Sequence, residues 1–299
     1  MELRQLKYFM EVAKREHMTE AAENLHVAQS AVSRQIYNLE SELGVDLFVR
    51  QGRRVRLTPI GRMFLESSTQ AMIMLENAKR EVKEHLDPAR GTIRITYPIS
   101  MAAYTLPTVI SSFREQYPDA RFQLKQNIYY DVIEEVVNGE YNMGLLAPVP
   151  NNNKKVEGHT LFTENVIALL PKNHDLADKD NLQLTQLKEE PFILLPEGMY
   201  FREMVIEACL EQGFHPEVAF EGDDVDALKG LVSAGLGIAL IPEITLVDTT
   251  PRFTVKKPII NPGVTRSVGV IVPKERQLLP TERLFFDFLK EFFSRMEEY

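Results

Sequence analysis

The first 44 residues carry apolar positions at helical spacing, which predicts three short amphipathic helices. The stripe of the first helix comprises Leu3, Leu6, Met10 and Ala13. Thr19 is a suitable N-cap for the second helix. The third helix is predicted to begin at Gln29 and to stop at Gly44. Its apolar stripe comprises Val32, Ile36, Leu39 and Leu43.

A polar helix face and a basic hairpin follow from the same pattern. The face of the third helix opposite its stripe carries Ser30, Ser33, Arg34, Tyr37 and Ser41. The segment LFVRQGRRVRLT then alternates apolar and polar positions around Gln51 and Gly52, which predicts a β-hairpin. Three helices followed by a hairpin define an all-α winged helix-turn-helix domain, which we assign to residues 1–58.

One long helix is predicted next. Thr58 and Pro59 are typical of a helix start, and Asp87 with Pro88 ends the run. The near-heptad stripe comprises Ile60, Phe64, Ala71, Leu75, Ala78 and Val82. A stripe this narrow favours a partner helix, so residues 59–87 are predicted to be a linker that dimerises the chain. The alternative is a surface helix packed on its own domain.

From residue 92 onward, β-branched or aliphatic runs alternate with helical stretches. The predicted strands are TIRITY, RFQLK, NMGLL, NVIALL, FILLP, VAFEG, GIALIP and SVGVIV. The predicted helices cover 101–116, 129–138, 200–213, 224–234 and 280–297. This alternation predicts open parallel sheets wrapped by helices, an α/β class for the chain overall. Residues 92–299 are expected to form two lobes, lobe I from 92–161 and 266–299 and lobe II from 162–265.

Composition agrees with a soluble protein of two or three domains. The 299 residues are 44% hydrophobic and 26% charged. No apolar run reaches the roughly 18 residues of a spanning helix, and the charged start is unlike a signal peptide. Cys209 is the single cysteine, and its helical spacing from Ile206 and Leu210 favours a core thiol. We therefore expect a cytoplasmic protein.

The charge is unevenly distributed. Residues 1–90 hold 14 Lys/Arg against 13 Asp/Glu, whereas residues 91–299 hold 20 against 30. The hairpin region is a cationic patch of Arg50, Arg53, Arg54, Arg56 and Arg62. Arginines there would neutralise phosphates while a helix in the major groove reads base edges. The pattern predicts binding to double-stranded DNA, and the alternative is a solvated face on a protein-binding module.

The segment ENLHVAQSAVSRQIYNLESELGVDLFVRQGRRVRLTPIG resembles the DNA-binding region of LysR-type transcriptional regulators. It has the S-R-Q-I element, the L-E-x-E-L-G exit, the L-F-x-R strand and the R-L-T-x-x-G return of that family. The resemblance implies a linker helix, a two-lobed effector domain like type 2 periplasmic binding proteins, a homotetramer and RNA polymerase as a partner. A narrower resemblance, to LysR-type regulators of glutamate synthase genes, implies activation of those genes, with 2-oxoglutarate and glutamate as effectors.

The same resemblance places DNA contacts on particular residues. Those from the third helix are Gln29, Ser30, Ser33 and Arg34, and those to phosphates from the wing are Arg50, Arg53 and Arg54. Two positions depart from the family pattern. Ala28 replaces a common capping Ser or Thr, and Ser30 replaces a common proline. A side-chain cap is therefore not expected at the start of this helix.

The ligand site is expected where two strands of the effector domain end. In YPISM and PEGMYF a strand is followed directly by a helix, so two helix N-termini would face one crevice and suit a carboxylate. The family binds its effectors there. The predicted lining is Ser100, Met101, Gln126, Asn127, Tyr129, Tyr200, Phe201 and Arg266. Arg266 could instead form a surface salt bridge, and the three aromatic side chains could serve packing alone.

Catalytic chemistry is not indicated. The six histidines have no metal-ligand spacing, and the chain lacks a G-x-S-x-G elbow and a phosphate loop. AGLGIAL is an incomplete G-x-G-x-x-G that follows a predicted helix. We predict no enzyme, no metal and no cofactor. The alternative from a different class is a solute-binding or adaptor module whose N-terminal helices contact protein.

Overall fold

Two separately packed units make up the chain, Met1–Arg80 and Glu81–Tyr299. The computed structural model describes residues 1–52, 54–101, 105–247 and 250–296. The division lies inside the long helix, which the sequence assigned to a linker of its own. No helix of the described residues is long and apolar enough to cross a membrane.

The first unit is the predicted winged helix-turn-helix. Its elements are α1 (Leu3–Arg15), α2 (Met18–Asn24), α3 (Gln29–Leu43), β1 (Phe48–Gln51), β2 (Arg54–Leu57) and the start of α4 (Pro59–Leu86). Its core comprises Phe9, Val12, Ala21, Ala22, Val32, Ile36, Leu39, Leu47, Phe48 and Val55. The Phe9 ring lies 5.3 Å from that of Phe48 and 5.2 Å from that of Phe64, which ties α1 to the hairpin and to α4. The helices and hairpin therefore share one apolar core.

Three details of this unit differ from the prediction. Leu3 is 51% exposed, and α1 instead buries Gln5, Leu6, Phe9 and Val12. The buried face of the helix is centred on Phe9, because its large ring packs against Phe48 and Phe64. The second helix begins at Met18, where the His17 side chain accepts a hydrogen bond from the Glu20 N–H at 3.4 Å. His17 is thus the N-cap that the sequence assigned to Thr19. Leu43, which was predicted to belong to the apolar stripe of the third helix, is the last residue of α3 and is 37% exposed.

The long helix α4 confirms the predicted start. The Gly61 N–H donates to the Thr58 Oγ1 at 2.9 Å, and the Thr58 Oγ1 in turn donates to the Asp46 carbonyl at 2.9 Å. Apolar side chains stay exposed along the helix at Ile60, Met63, Met74, Val82 and Leu86.

The second unit has alternating strands and helices. The elements are β3 (Thr92–Tyr97), α5 (Thr105–Gln116), β4 (Arg121–Gln126), α6 (Tyr129–Val137), β5 (Met143–Leu146), β6 (Val156–Pro171), β7 (Pro191–Leu194), α7 (Tyr200–Glu211), β8 (Glu217–Glu221), α8 (Val225–Ser233), β9 (Ala239–Pro242), β10 (Thr254–Pro258), β11 (Val264–Pro273) and α9 (Pro280–Met296). Each of the predicted strands is present, and four of them extend one or two residues beyond the observed bounds. The strand β10 and the first half of β6 were not predicted.

The sheets are mixed, which corrects the expectation of parallel sheets. In the described residues one sheet has the order β10-β6-β11-β5-β3-β4 with β9 also on β6, and β7 pairs with β8 separately. β3 is parallel to β4 and β5, whereas β6 is antiparallel to β9, β10 and β11. The reason is that β6 and β11 run side by side in opposite directions. The strands that pair with one of these two, β5, β9 and β10, are also antiparallel to it.

The two long strands β6 and β11 pass through both lobes. Leu161 on β6 and Val268 on β11 belong to the core that also contains Phe113 and Phe285. Further along, Val166 on β6 and Val264 on β11 belong to the core around Phe192. The two cores thus lie at opposite ends of one strand pair, and a cleft between lobes has to open beside these strands.

Candidate functional site

The helix α3 presents a polar surface on its first two turns. Gln29, Ser30 and Arg34 are exposed and Ser33 is half-buried, whereas Val32 and Ile36 point into the core. Ala28 occupies the N-cap position with extended backbone and no side-chain cap hydrogen bond. The first N–H groups of α3 are therefore not occupied by a side-chain cap. Such a helix start favours a phosphate oxygen.

The hairpin presents arginines beside this helix. Val55 is buried, and its neighbours Arg54 and Arg56 on β2 are exposed, as expected for alternating side chains. Arg50 pairs with Val55 in the ladder. Its side chain lies outside the described residues, as does Arg53 as a whole. The predicted wing is therefore present as a strand pair. Of its three predicted phosphate contacts, Arg54 is the one whose side chain is described, and it is exposed.

A residue that the sequence did not single out joins α3 to the hairpin. The Glu40 carboxylate accepts hydrogen bonds from the N–H groups of Leu47 at 2.8 Å and of Phe48 at 3.0 Å. Since Glu40 lies on α3, it fixes the start of β1 against the helix that carries Arg34. The signal available in the sequence was an acidic residue on the helix whose polar face was predicted to contact DNA.

A cavity of about 400 Å³ lies in the second unit, where strand ends and helix starts meet. Its lining comprises Pro98, Ser100, Gln126, Asn127, Ile128, Tyr129, Ala147, Leu195, Met199, Tyr200, Phe201, Asp223, Asp224, Val225, Pro242 and Arg266. Seven of the predicted lining residues are therefore brought together. Met101 is the exception, because its side chain is completely buried in the lobe I core.

Two helices begin at this cavity without a side-chain cap, and one of them starts in PEGMYF as predicted. The other predicted start, near Met101 after YPISM, adjoins residues 102–104, which lie outside the described residues. Ile128 precedes α6 and Met199 precedes α7, and neither N-cap position makes a side-chain cap hydrogen bond. The free N–H groups of a helix start favour an anion such as a carboxylate. The third helix at the cavity, α8, differs, because the Asp224 carboxylate accepts from the Ala227 N–H at 2.8 Å.

Aromatic side chains of the two lobes meet at the cavity. The rings of Tyr129 on α6 and Tyr200 on α7 stack with centroids 4.3 Å apart. The Tyr130 hydroxyl donates to the Glu203 carboxylate at 3.4 Å. Burial raises the pKa of the Tyr129 phenol, with smaller contributions from Tyr200 and Tyr130 in the same direction. Tyr129 is therefore neutral at physiological pH and adds no charge to the cavity.

Asn127 is already engaged by the protein. Its amide nitrogen donates to the Glu135 carboxylate at 3.0 Å, and its amide oxygen accepts from the Ile128 N–H at 3.0 Å. Glu135 also pairs with Lys125. Asn127 therefore positions the start of α6, which the sequence pattern did not show.

The charges at the cavity are more acidic than predicted. Among the described lining residues, Asp223 and Asp224 are acidic and Arg266 is basic. Arg266 is buried and paired with Glu164, which also is buried. The alternative of a surface salt bridge is thus wrong, because the ion pair is inside the protein. The acidic pair in EGDDV was visible in the sequence and was not assigned to the cavity.

These two sites together define the class of protein. Residues 3–62 match the family described as bacterial regulatory helix-turn-helix protein, lysR family, and residues 87–294 match the LysR substrate binding domain. The chain belongs to the LysR family and is a LysR-type DNA-binding transcriptional regulator with an effector-binding domain. The resemblance drawn from the sequence motifs is confirmed.

Two individual proteins are similar in sequence over most or all of their length. The chain is 53% identical over 299 residues to the transcriptional dual regulator GltC of Bacillus subtilis (strain 168), with 100% of both chains covered. It is 31% identical over 245 residues to the HTH-type transcriptional regulator cbl of Klebsiella aerogenes, covering 81% of this chain and 78% of the relative.

Solved structures agree in fold. Full-length CbnR complexed with its target DNA superposes with a TM-score of 0.79 at 24% identity, covering 97% of this chain and 99% of CbnR. Full-length BenM superposes with a TM-score of 0.62 at 26% identity, covering 99% of this chain and 98% of BenM. The predicted two-part fold, a winged helix-turn-helix with an α/β effector domain, is confirmed.

Proposed function

We propose that this regulator activates glutamate synthase genes and that 2-oxoglutarate and glutamate are its effectors. The observation that carries the effector part is a cavity at which seven predicted residues and two uncapped helix starts meet. The target genes are supported by the sequence resemblance and by 53% identity to GltC over the whole chain.

DNA binding is assigned to the first unit in this proposal. Gln29, Ser30, Ser33 and Arg34 contact base edges and backbone from α3 in the major groove. Arg54 contacts phosphates from the wing, together with Arg50 and Arg53. The exposure of Gln29, Ser30, Arg34 and Arg54 supports these roles. Base contacts then select the operator, and phosphate contacts set affinity and orientation.

The exposed apolar side chains of α4 support the dimer. Met63, Met74 and Val82 leave apolar surface in water unless another chain covers it. Two chains paired through 59–87 would bind a two-fold symmetric operator. Two such dimers form the proposed homotetramer, which spaces two DNA sites and sets access of RNA polymerase.

The effector acts by differential binding. A ligand that bound both lobe arrangements equally would leave their equilibrium unchanged. An opening of the cavity would separate the stacked rings of Tyr129 and Tyr200, so the open and closed arrangements would differ where the ligand binds. Effector binding is thereby converted into a different spacing of the DNA-binding dimers.

A footprint tests the proposal. Full-length protein is incubated with the promoter of the glutamate synthase genes, alone and with 2-oxoglutarate or glutamate. We expect protection of a two-fold symmetric site and a changed protection pattern with effector. An adaptor or solute-binding protein would protect nothing, and an effector-independent footprint would remove the two ligands from the proposal.

A further inference from the structure

A buried ion pair lies where the two long strands cross between the lobes. Arg266 on β11 and Glu164 on β6 are direct partners in the antiparallel ladder. The Arg266 Nε donates to the Glu164 Oε1 at 2.6 Å, and the side chains are 2% and 6% exposed. Arg266 also lines the cavity, with its guanidinium 5.2 Å from the centre of the Phe201 ring.

The pair leaves hydrogen-bonding capacity unused. The Arg266 Nη2 lies 2.5 Å from the same Oε1 without hydrogen-bond geometry. Both this nitrogen and the Glu164 Oε2 are buried without a hydrogen-bond partner among the described residues. A guanidinium can hold a carboxylate with two parallel hydrogen bonds, and this pair does not do so. The ion pair is therefore one that a second carboxylate can compete for.

Charge balance at the cavity opposes a dianion. Glu164 faces Arg266 from β11 and, from the segment after β9, the Ile244 N–H and the Glu243 carboxylate. Glu243 is itself shared between Asn165 at 3.2 Å and Lys256 at 3.6 Å. Asp223 and Asp224 add further negative charge at the lining. A bound dicarboxylate would therefore face Arg266 as the one cation of the described lining, and that cation is already neutralised.

Burial already shifts Glu164 toward its neutral form. Removal from water raises the pKa of its carboxyl, and the Arg266 charge and the Ile244 N–H act against this rise. Losing Arg266 to another anion would remove the largest opposing influence and would leave the desolvation in place. Glu164 would then bind a proton more tightly than it does beside Arg266.

We propose that the effector carboxylate replaces Glu164 on Arg266 and that Glu164 takes up one proton from solvent in the exchange. This rests on the proposed function, since it concerns dicarboxylates in the same cavity. It makes Glu164 a specificity residue that admits anionic effectors only together with a proton. Affinity for 2-oxoglutarate then rises as the pH falls, by at most about tenfold per pH unit for one coupled proton.

Calorimetric titration of the full-length protein with 2-oxoglutarate tests the exchange. Titrations at one pH in two buffers of different ionisation enthalpy measure the protons taken up on binding. For the wild type we expect a net uptake approaching one proton. Glu164→Gln keeps the acceptor for Arg266 and removes the charge, so its proton uptake should vanish and its affinity should become independent of pH between about 6 and 8.

Two further variants keep the test interpretable. Glu243→Gln removes a half-exposed carboxylate beside Glu164 that does not pair with Arg266, so proton uptake should persist. Arg266→Gln alone would leave Glu164 buried without a partner and risks unfolding. The double variant Arg266→Gln with Glu164→Gln removes both charges, and we expect it to fold and to lose 2-oxoglutarate binding.

The outcomes separate the two proposals. Binding of 2-oxoglutarate to the wild type without proton uptake, and with the same affinity in Glu164→Gln, overturns the exchange and leaves the proposed function intact. Full binding by the folded double variant overturns the role of Arg266. The absence of heat with both 2-oxoglutarate and glutamate overturns the proposed effectors and the exchange together.

Discussion

The first turn of α4 depends on a glycine that has no room for a side chain. A Cβ on Gly61 would lie 2.1 Å from the Leu47 carbonyl oxygen and 3.1 Å from a Leu57 methyl group. We expect Gly61→Ala to destabilise the unit Met1–Arg80. The same substitution in an open helix interior stabilises a protein, so the sign of the effect tests the packing.

The magnitude follows from two opposing contributions. Alanine is favoured over glycine in a helix interior by about 0.8–1.0 kcal/mol. Against this, the helix start must move by roughly 1 Å, because real Cβ atoms essentially never approach a neighbour within 3.0 Å. Overpacking of this kind costs about 1–3 kcal/mol, and the shift also weakens the Thr58 cap, worth about 1 kcal/mol. The net destabilisation is then about 1–3 kcal/mol.

Hydrogen exchange of the full-length protein, resolved by peptide, measures this effect. Amides of α3 exchange through opening of the first unit, so their protection should fall roughly 5- to 150-fold in Gly61→Ala. Gly230→Ala is the matched control. Gly230 also lies inside a helix, α8, but a Cβ there would meet no atom within 4 Å. In Gly230→Ala, the protection of the α8 amides should rise. Equal or greater protection of α3 in Gly61→Ala would refute the close approach of α4 to Leu47.

Three further predictions concern DNA contacts and pH. Arg34→Ala should weaken binding to the operator by about 1–3 kcal/mol and relax the protein's preference for the operator sequence, as measured by fluorescence anisotropy. Equal weakening on all duplexes would make Arg34 a phosphate contact. Arg54→Ala should reduce the slope of log affinity against log salt by about one, and an unchanged slope would remove Arg54 from the interface. Burial raises the pKa of the Glu84 carboxyl, and the nearby Glu282 adds to this, although Thr281 and the Thr92 N–H act against it. A carboxyl with a raised folded pKa contributes stability at low pH that is lost as the pH rises through that pKa. Glu84→Gln should therefore raise the melting temperature of the full chain more at pH 8 than at pH 4 by calorimetry; an equal gain at both would exclude titration of Glu84 as the cause.

The sequence by itself determined the elements and the family. The spacing of Val32, Ile36 and Leu39 located α3, since the helical period is set by the backbone and appears within a few residues. Thr58 with Pro59 located the start of α4 for the same reason, because capping needs only adjacent residues. The motif from the third helix through the wing identified the LysR family, which both domain matches confirm.

Contacts between distant segments were decided only by the tertiary structure. The choice between Leu3 and Phe9 as the core residue of α1 depended on the rings of Phe48 and Phe64. The partner of Arg266 lies 102 residues away on the other crossing strand. Local spacing shows which face of an element is apolar, but not which element covers it. Strand direction and register decide that, and they also place Asp223 at the cavity and Glu164 against Arg266, which lines the cavity.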